Sequence, residues 1–179
     1  MRDIDSLSDS ELARAVSDSD GEAFQTLYYR YYEKLYYFIW YRIRSTEAAR
    51  DITQELFSRV WHHRMSLDPG KSIKAYLYRI ANNLVINQFQ KQTIEKKYLN
   101  TLEPDRFVTT PSENFDLKDK IGQAIDNLPE KPRTVFMLHR FEGFTYAEIA
   151  QSLEVSVKTV EKRMSHALKL LREALEAFL

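Results

Sequence analysis

The chain of 179 residues contains no cysteine, four glycines and five prolines. Without cysteine there are no disulfides, no thiolate metal sites and no thiol redox sensing by this chain itself. Glycine and proline together are 9 of 179 residues, about 5% against roughly 12% in average usage. So few turn-forming positions argue against a sandwich or barrel of many short strands. No uninterrupted apolar run reaches the roughly 18 residues that a bilayer crossing demands. Met1-Arg2-Asp3-Ile4-Asp5 lacks the basic, then apolar, opening of a secretory signal. The expectation is a cytoplasmic protein with no membrane insertion. A net charge is missing as well, since 26 basic and 26 acidic side chains cancel.

What the chain does have is an apolar content of 44%, enough to bury a core and to exclude disorder over most of its length. Its apolar residues recur mainly at helical spacing, so an all-α fold is expected. Ser8-Asp9-Ser10-Glu11 forms a capping box flanked by Leu7 and Leu12, which opens a short helix. From Glu22 to Arg44 the residues Phe24, Leu27, Tyr31, Leu35, Phe38 and Ile39 line one face of a long helix. A second long helix begins near Thr46 and passes Trp61. Asp68-Pro69-Gly70 then breaks the pattern, and a basic helix runs from about Ser72 to about Lys97. Residues 100–116 carry two prolines, four acids and one base without a period, and read as a flexible linker. The chain therefore divides into two small helical domains, 1–99 and 117–179. In the second, Leu117, Ile121, Ile125 and Leu128 mark one helix, and Val135, Leu138 and Phe141 mark another that ends at Gly143.

The last 35 residues are the most specific signal. Thr145 and Glu148 form another capping box, with Phe144 and Ile149 at its staple positions, so Tyr146 to Leu153 is predicted to be a compact helix. A tight turn at Glu154-Val155 precedes Ser156, a strong N-cap residue. Beyond it Val157, Val160, Met164, Leu168, Leu171, Leu175 and Phe178 keep one face apolar. Helix, tight turn and helix in this order are what a helix-turn-helix DNA reader needs, although a solvated basic face on a packing helix would show the same charges.

Charge is unevenly placed. Residues 1–22 hold two basic and seven acidic side chains, residues 62–98 hold seven basic and two acidic, and residues 156–172 hold five basic and one acidic. Two basic segments separated by an acidic connector suggest two contacts with a nucleic acid. Ser156, Lys158, Thr159, Lys162, Arg163 and His166 face outward near the start of the last helix, where hydroxyls, cations and the helix N-terminus suit phosphates and guanine edges. Lys74, Tyr78, Arg79, Asn82, Asn83 and Asn87 are expected outward on the basic helix, beside a glycine-containing loop. Amides and cations among aromatics suit backbone tracking and capture of unstacked bases, although a solvated amphipathic face has the same composition. On the second long helix Asp51, Gln54, Glu55 and Ser58 form a polar stripe, with Phe57 and Trp61 on another surface. That arrangement fits a protein-docking face, and plain core packing fits it equally. Most of the tyrosines at 28–41 are expected in the core with their phenols reaching the surface. No catalytic, cofactor or metal site emerges: His62 and His63 are adjacent and point about 100° apart on a helix, and no glycine-rich phosphate cradle is present.

These motifs resemble those of the extracytoplasmic-function (ECF) sigma factors, the specificity subunits of bacterial RNA polymerase, over nearly the whole chain. Asp51-Ile-Thr-Gln54-Glu55-Leu-Phe57 with Val60-Trp61 is similar to the stretch that docks on the polymerase clamp helices. Ala75-Tyr76-Leu77-Tyr78-Arg79-Ile80-Ala81-Asn82-Asn83 is similar to the segment that reads and opens the minus 10 element, with Asn83 at a base-contacting position. Leu128-Pro129 through Arg172 resembles the second domain, and Ser156-Val-Lys-Thr159-Val160-Glu-Lys-Arg163 opens its minus 35 reading helix. Where many relatives have an Asp and, three residues later, an Arg, this chain has Asn87 and Gln90. The resemblance implies core RNA polymerase and promoter DNA as partners, an anti-sigma factor as inhibitor, and a monomer when free. The alternative from another class is a dimeric helix-turn-helix regulator that needs no polymerase.

Overall fold

The computed structural model describes residues 6–99 and 117–176, with side chains over 6–94 and 121–176. The linker expected at 100–116, the start of the chain at 1–5 and Phe178 lie outside them. The described residues form eight α-helices and one short 3-10 turn, with no strand. In the first domain these are α1 (Asp9–Ser17), α2 (Gly21–Ile43), α3 (Thr46–His62) and α4 (Ile73–Leu99), with the turn Arg64–Ser66 between the last two. The second holds α5 (Leu117–Asp126), α6 (Glu130–Arg140), α7 (Tyr146–Leu153) and α8 (Val157–Glu176).

Local chemistry sets most boundaries. Ser8 caps α1 and shares a reciprocal capping box with Glu11, as the sequence predicts. The Asp20 carboxylate accepts from the amides of Glu22 and Ala23 at the start of α2, and the Ser45 hydroxyl caps α3. The Asp68 carboxylate accepts from the Gly70 amide at 2.9 Å, closing the turn that separates the 3-10 segment from α4. Gly143 follows α6 at φ 68°, a conformation that costs glycine little.

Helix α2 is the central pillar of the first domain. Ala23, Leu27, Tyr31, Leu35, Phe38 and Ile39 are buried on its inner face against Leu12 and Val16 of α1, Ile52, Leu56 and Val60 of α3, and Leu77 and Ala81 of α4. In the second domain Val135 and Leu138 of α6, Ile149 of α7, and Val160 and Met164 of α8 pack together. Ala124, Ile125 and Leu128 close against Ala167 and Leu171 of α8. The α8 face departs from expectation at its rim. Ala167 takes an inward place, whereas Val157 and Leu168 are 43% and 48% exposed. At 100° per residue, both lie about 50–70° off the line through Val160, Met164, Ala167 and Leu171. Phe141 is also exposed, because α6 ends one residue before it. The two cores meet: α4 lies along α7, the end of α2 reaches α6, and the buried side chains of both domains form one continuous cluster.

The second capping box forms fully. Thr145 Oγ1 accepts from the Glu148 amide, and the Glu148 carboxylate accepts from the Thr145 amide at 2.8 Å. The Thr145 amide first, and then its hydroxyl, both donating to the Glu148 carboxylate, hold that carboxyl below its ordinary pKa. A depressed folded-state pKa contributes stability above the unfolded value, and that contribution is lost as pH falls through the folded value. Thr145→Ala is expected to cost about 1 kcal/mol in a thermal melt near neutral pH. The stability gap between wild type and Glu148→Gln should narrow as the pH is lowered through the carboxylate range.

Candidate functional site

Helix α8 begins at a side-chain cap. Ser156 Oγ accepts from the Thr159 amide at 3.1 Å and shares a 2.8 Å hydrogen bond with the Thr159 hydroxyl. Both hydroxyls are thereby committed to the helix start, leaving the cations beyond them free to reach outward. At 100° per residue, Lys158, Lys162, His166 and Lys169 fall within an arc of about 80° opposite the buried stripe. Lys158, Lys162 and His166 are exposed, and Arg163 stands half-buried at the flank. The elbow before them is held by Glu154, which adopts a left-handed conformation at φ 54° and donates its amide to Ala150. A basic helix face set off by a tight left-handed elbow is the geometry that enters a major groove.

On α3 the residues Asp51, Gln54, Glu55 and Ser58 are all exposed on one stripe. Glu55 pairs with Arg59 at 2.6 Å along the helix. The aromatic pair expected beside this stripe is divided. Phe57 is only 3% exposed and packs against Phe24, Tyr28 and Tyr32, whereas Trp61 is half-buried, contacts Phe24 and stacks with the Arg64 guanidinium. Phe57 therefore shapes the helix from beneath rather than presenting a ring to solvent. The α2 tyrosines also split. Tyr31 is buried with its hydroxyl on Asp9, Tyr28, Tyr32 and Tyr36 form a half-buried row, and Tyr29 and Tyr37 are exposed.

Helix α4 departs most from the sequence reading. Asn83 and Asn87 are exposed, and Lys74 and Arg79 are half-buried. Tyr78 and Asn82, expected outward, have relative exposures of 0% and 6%. The cause is tertiary: Phe144 of the second domain covers Tyr78, and Arg42 of α2 holds Asn82. The Tyr78 ring lies between Phe38 and Phe144, at 5.1 and 5.0 Å between centroids. Burial first, and then the Glu142 carboxylate, push its phenol pKa up, so it stays neutral. Lys74 donates to the Glu142 carbonyl and stands 4.3 Å from the Phe144 ring centre.

Two residues that the sequence reading did not single out organise this contact. Arg42 is 4% exposed; its guanidinium donates to Asn82 Oδ1 at 2.9 Å and to the Glu130 carboxylate of α6. Desolvation lowers its pKa against the opposing pull of Glu130. Arg44, stacked on Trp40 and Tyr41, pairs with Asp126 at the end of α5. The available signal was periodicity, since Arg42 follows Phe38 and Ile39 at four and three residues and so occupies a core position.

Among the described residues, no group of three His, Asp or Glu side chains could hold a metal ion, and no helix is long and apolar enough to cross a membrane.

The comparisons with known proteins match this geometry. The family models for Sigma-70 region 2 and Sigma-70 region 4 match residues 27–94 and 118–171, so one runs from within α2 to within α4 and the other from within α5 to within α8. The ECF RNA polymerase sigma factor SigX of Bacillus subtilis is 29% identical over 168 residues, covering 87% of this chain and 84% of its own. The ferric citrate uptake sigma factor FecI of Escherichia coli is 28% identical over 151 residues, covering 82% and 87%. Among solved structures, CnrH, in complex with the cytosolic domain of CnrY, shares the fold with a TM-score of 0.71 and 23% identity, over 94% of this chain and 97% of that one. RpoE of Bartonella quintana, in complex with the anti-sigma factor NepR, also gives 0.71 at 23% identity, over 86% and 96%. With both sigma regions matched in order on a two-domain helical fold that ends in a helix-turn-helix, the chain belongs to the ECF family of RNA polymerase sigma factors.

Proposed function

We propose a division of labour in which α8 reads the minus 35 element, α4 reads and opens the minus 10 element, and the α3 stripe docks on core RNA polymerase. As a member of its family the chain is a transcription initiation factor that directs the polymerase to promoters, and it is not an enzyme. The observation that carries the finer reading is the exposed basic arc of Lys158, Lys162 and His166, flanked by Arg163, on a capped helix after a tight left-handed elbow. Lys74, Arg79, Asn83 and Asn87 take the minus 10 role, together with Tyr78 and Asn82 once these are uncovered. Asp51, Gln54 and Glu55 supply the polymerase contact, with Phe57 and Trp61 setting the position of the helix. The two functional units are residues 1–99 and 117–179, joined by 100–116. The factor works in the cytoplasm as a monomer when free, and an anti-sigma factor is its expected inhibitor.

The mechanism is one of shared attachment. A single helix-turn-helix buries only about 600–1,000 Å² of protein surface on DNA, and a chain of zero net charge gains little from counterion release. Held on one polymerase, two weak contacts act as one through effective concentration. The test is run-off transcription from a genomic library with core polymerase and this protein, set beside gel shifts with the protein alone. Polymerase-dependent initiation at a common pair of spaced elements is expected. Nanomolar binding of the protein alone to a palindrome would overturn the reading in favour of a dimeric regulator.

A further inference from the structure

We infer that α1 is a positioning element for promoter opening: through Ser10 and Ser19 it holds both ends of the segment between α3 and α4, and so keeps the cavity beside α4 in the shape that receives an unstacked base. The inference rests on the proposed role of α4 at the minus 10 element. The segment, residues 63–72, carries the 3-10 turn and the turn closed by Asp68. Its Asp68, Lys71 and Ser72, with Tyr76 and Arg79 of α4, line a cavity of about 140 Å³. A cavity of that order admits one aromatic ring.

Internal bonds stiffen the segment piece by piece. The Ser66 amide donates to the His63 carbonyl, the Leu67 amide to the Arg64 carbonyl and the Lys71 amide to the Asp68 carbonyl, each at 3.0 Å. Leu67 anchors the middle in the core, and α1 holds the two ends. Ser10 Oγ donates to the Pro69 carbonyl at 2.8 Å, and Arg64 Nε donates to Ser19 Oγ at 2.9 Å, across 59 and 45 residues of sequence. Arg64 is itself aligned by its bond to the Trp61 carbonyl at 2.8 Å and by stacking on the Trp61 ring. Ser19 meets it from a left-handed conformation at φ 69°, which serine seldom adopts.

Helix α1 is a firm post for these bonds. Leu12, Ala13 and Val16 are buried in the core, and the Asp9 carboxylate accepts from Arg30 at 3.0 Å and from the Tyr31 hydroxyl. Residues 1–22 carry seven acidic side chains against two basic, a charge that repels phosphate. The helix therefore acts from behind the segment rather than on DNA. A segment ordered in advance spares base capture the entropy of ordering it.

The test follows opening of a minus 10 element that carries 2-aminopurine, with the full chain bound to core polymerase. Ser10→Ala removes one bond. Ser19→Gly removes the other and also relieves the left-handed conformation, so it should melt close to wild type in circular dichroism. Each is expected to slow opening about threefold, and the two together about tenfold, with affinity for core polymerase and for a duplex minus 35 element unchanged. Ser10→Thr, which keeps the hydroxyl, should open at the wild-type rate. Unchanged opening in the double variant overturns the inference, and so does a loss that appears equally in polymerase affinity. Asn83→Ala separates the inference from the reading beneath it. If that variant opens slowly while the serine variants open normally, the α4 reading stands and the positioning role falls. If it opens at the wild-type rate while the double serine variant is slow, the positioning role of α1 stands and α4 loses its assigned part in opening.

Discussion

Arg163→Ala and Lys158→Ala are each expected to reduce transcription from a minus 35-dependent promoter while leaving affinity for core polymerase unchanged. A lost base or phosphate contact of this kind costs about 1–3 kcal/mol, or about 5-fold to 150-fold in promoter occupancy. Arg163 stands half-buried at the flank of α8, whereas Lys158 is exposed at its first turn. The two should therefore differ in character. Loss of Lys158 should flatten the dependence of binding on salt by about one counterion, as expected of a phosphate contact. Loss of Arg163 should also relax the base preference at one position if it reads a guanine edge. Paired measurements of run-off transcription and polymerase pull-down decide the matter. Equal loss in both assays would remove α8 from the DNA and place it against the polymerase.

Phe57→Ala is expected to destabilise the protein by about 3–5 kcal/mol, since it empties a buried aromatic site. Phe57 is 3% exposed and touches three aromatic side chains of α2. With total stabilities of about 5–15 kcal/mol, a loss of that size lowers the melting temperature well before any docking effect is read. Glu55→Ala is the contrasting case. Its carboxylate is about half exposed and its pair with Arg59 lies at the surface, so stability should change by less than about 1 kcal/mol. Polymerase binding should nonetheless weaken if the α3 stripe is the docking face. Calorimetry beside a polymerase binding isotherm separates the two, and a Glu55→Ala protein with unaltered polymerase affinity would move the docking face elsewhere.

Phe57 illustrates where sequence patterns reach their limit. Spacing placed Phe57 and Trp61 on a second apolar surface of α3, and a single helix has no means of saying whether such a surface meets a neighbour or solvent. The aromatic row of α2 decides it by covering Phe57 and leaving Trp61 half open. Tyr78 and Asn82 make the same point in the opposite direction, since two positions of α4 expected outward became interior ones, Tyr78 beneath Phe38 and Phe144 and Asn82 beneath Arg42.

The amino-acid order alone determined the helices, most of their ends and the reading elbow, because caps, left-handed turns and the 3.6-residue period act over four or five neighbouring residues. Thr145 with Glu148, Ser156 with Thr159, and Ser8 with Glu11 all bond as their spacing requires. The tertiary structure alone decided which outward-looking faces remain outward. Arg42 finds Asn82 and Glu130 at separations of 40 and 88 residues, and the burial of a face depends on such distant partners, which no local pattern encodes.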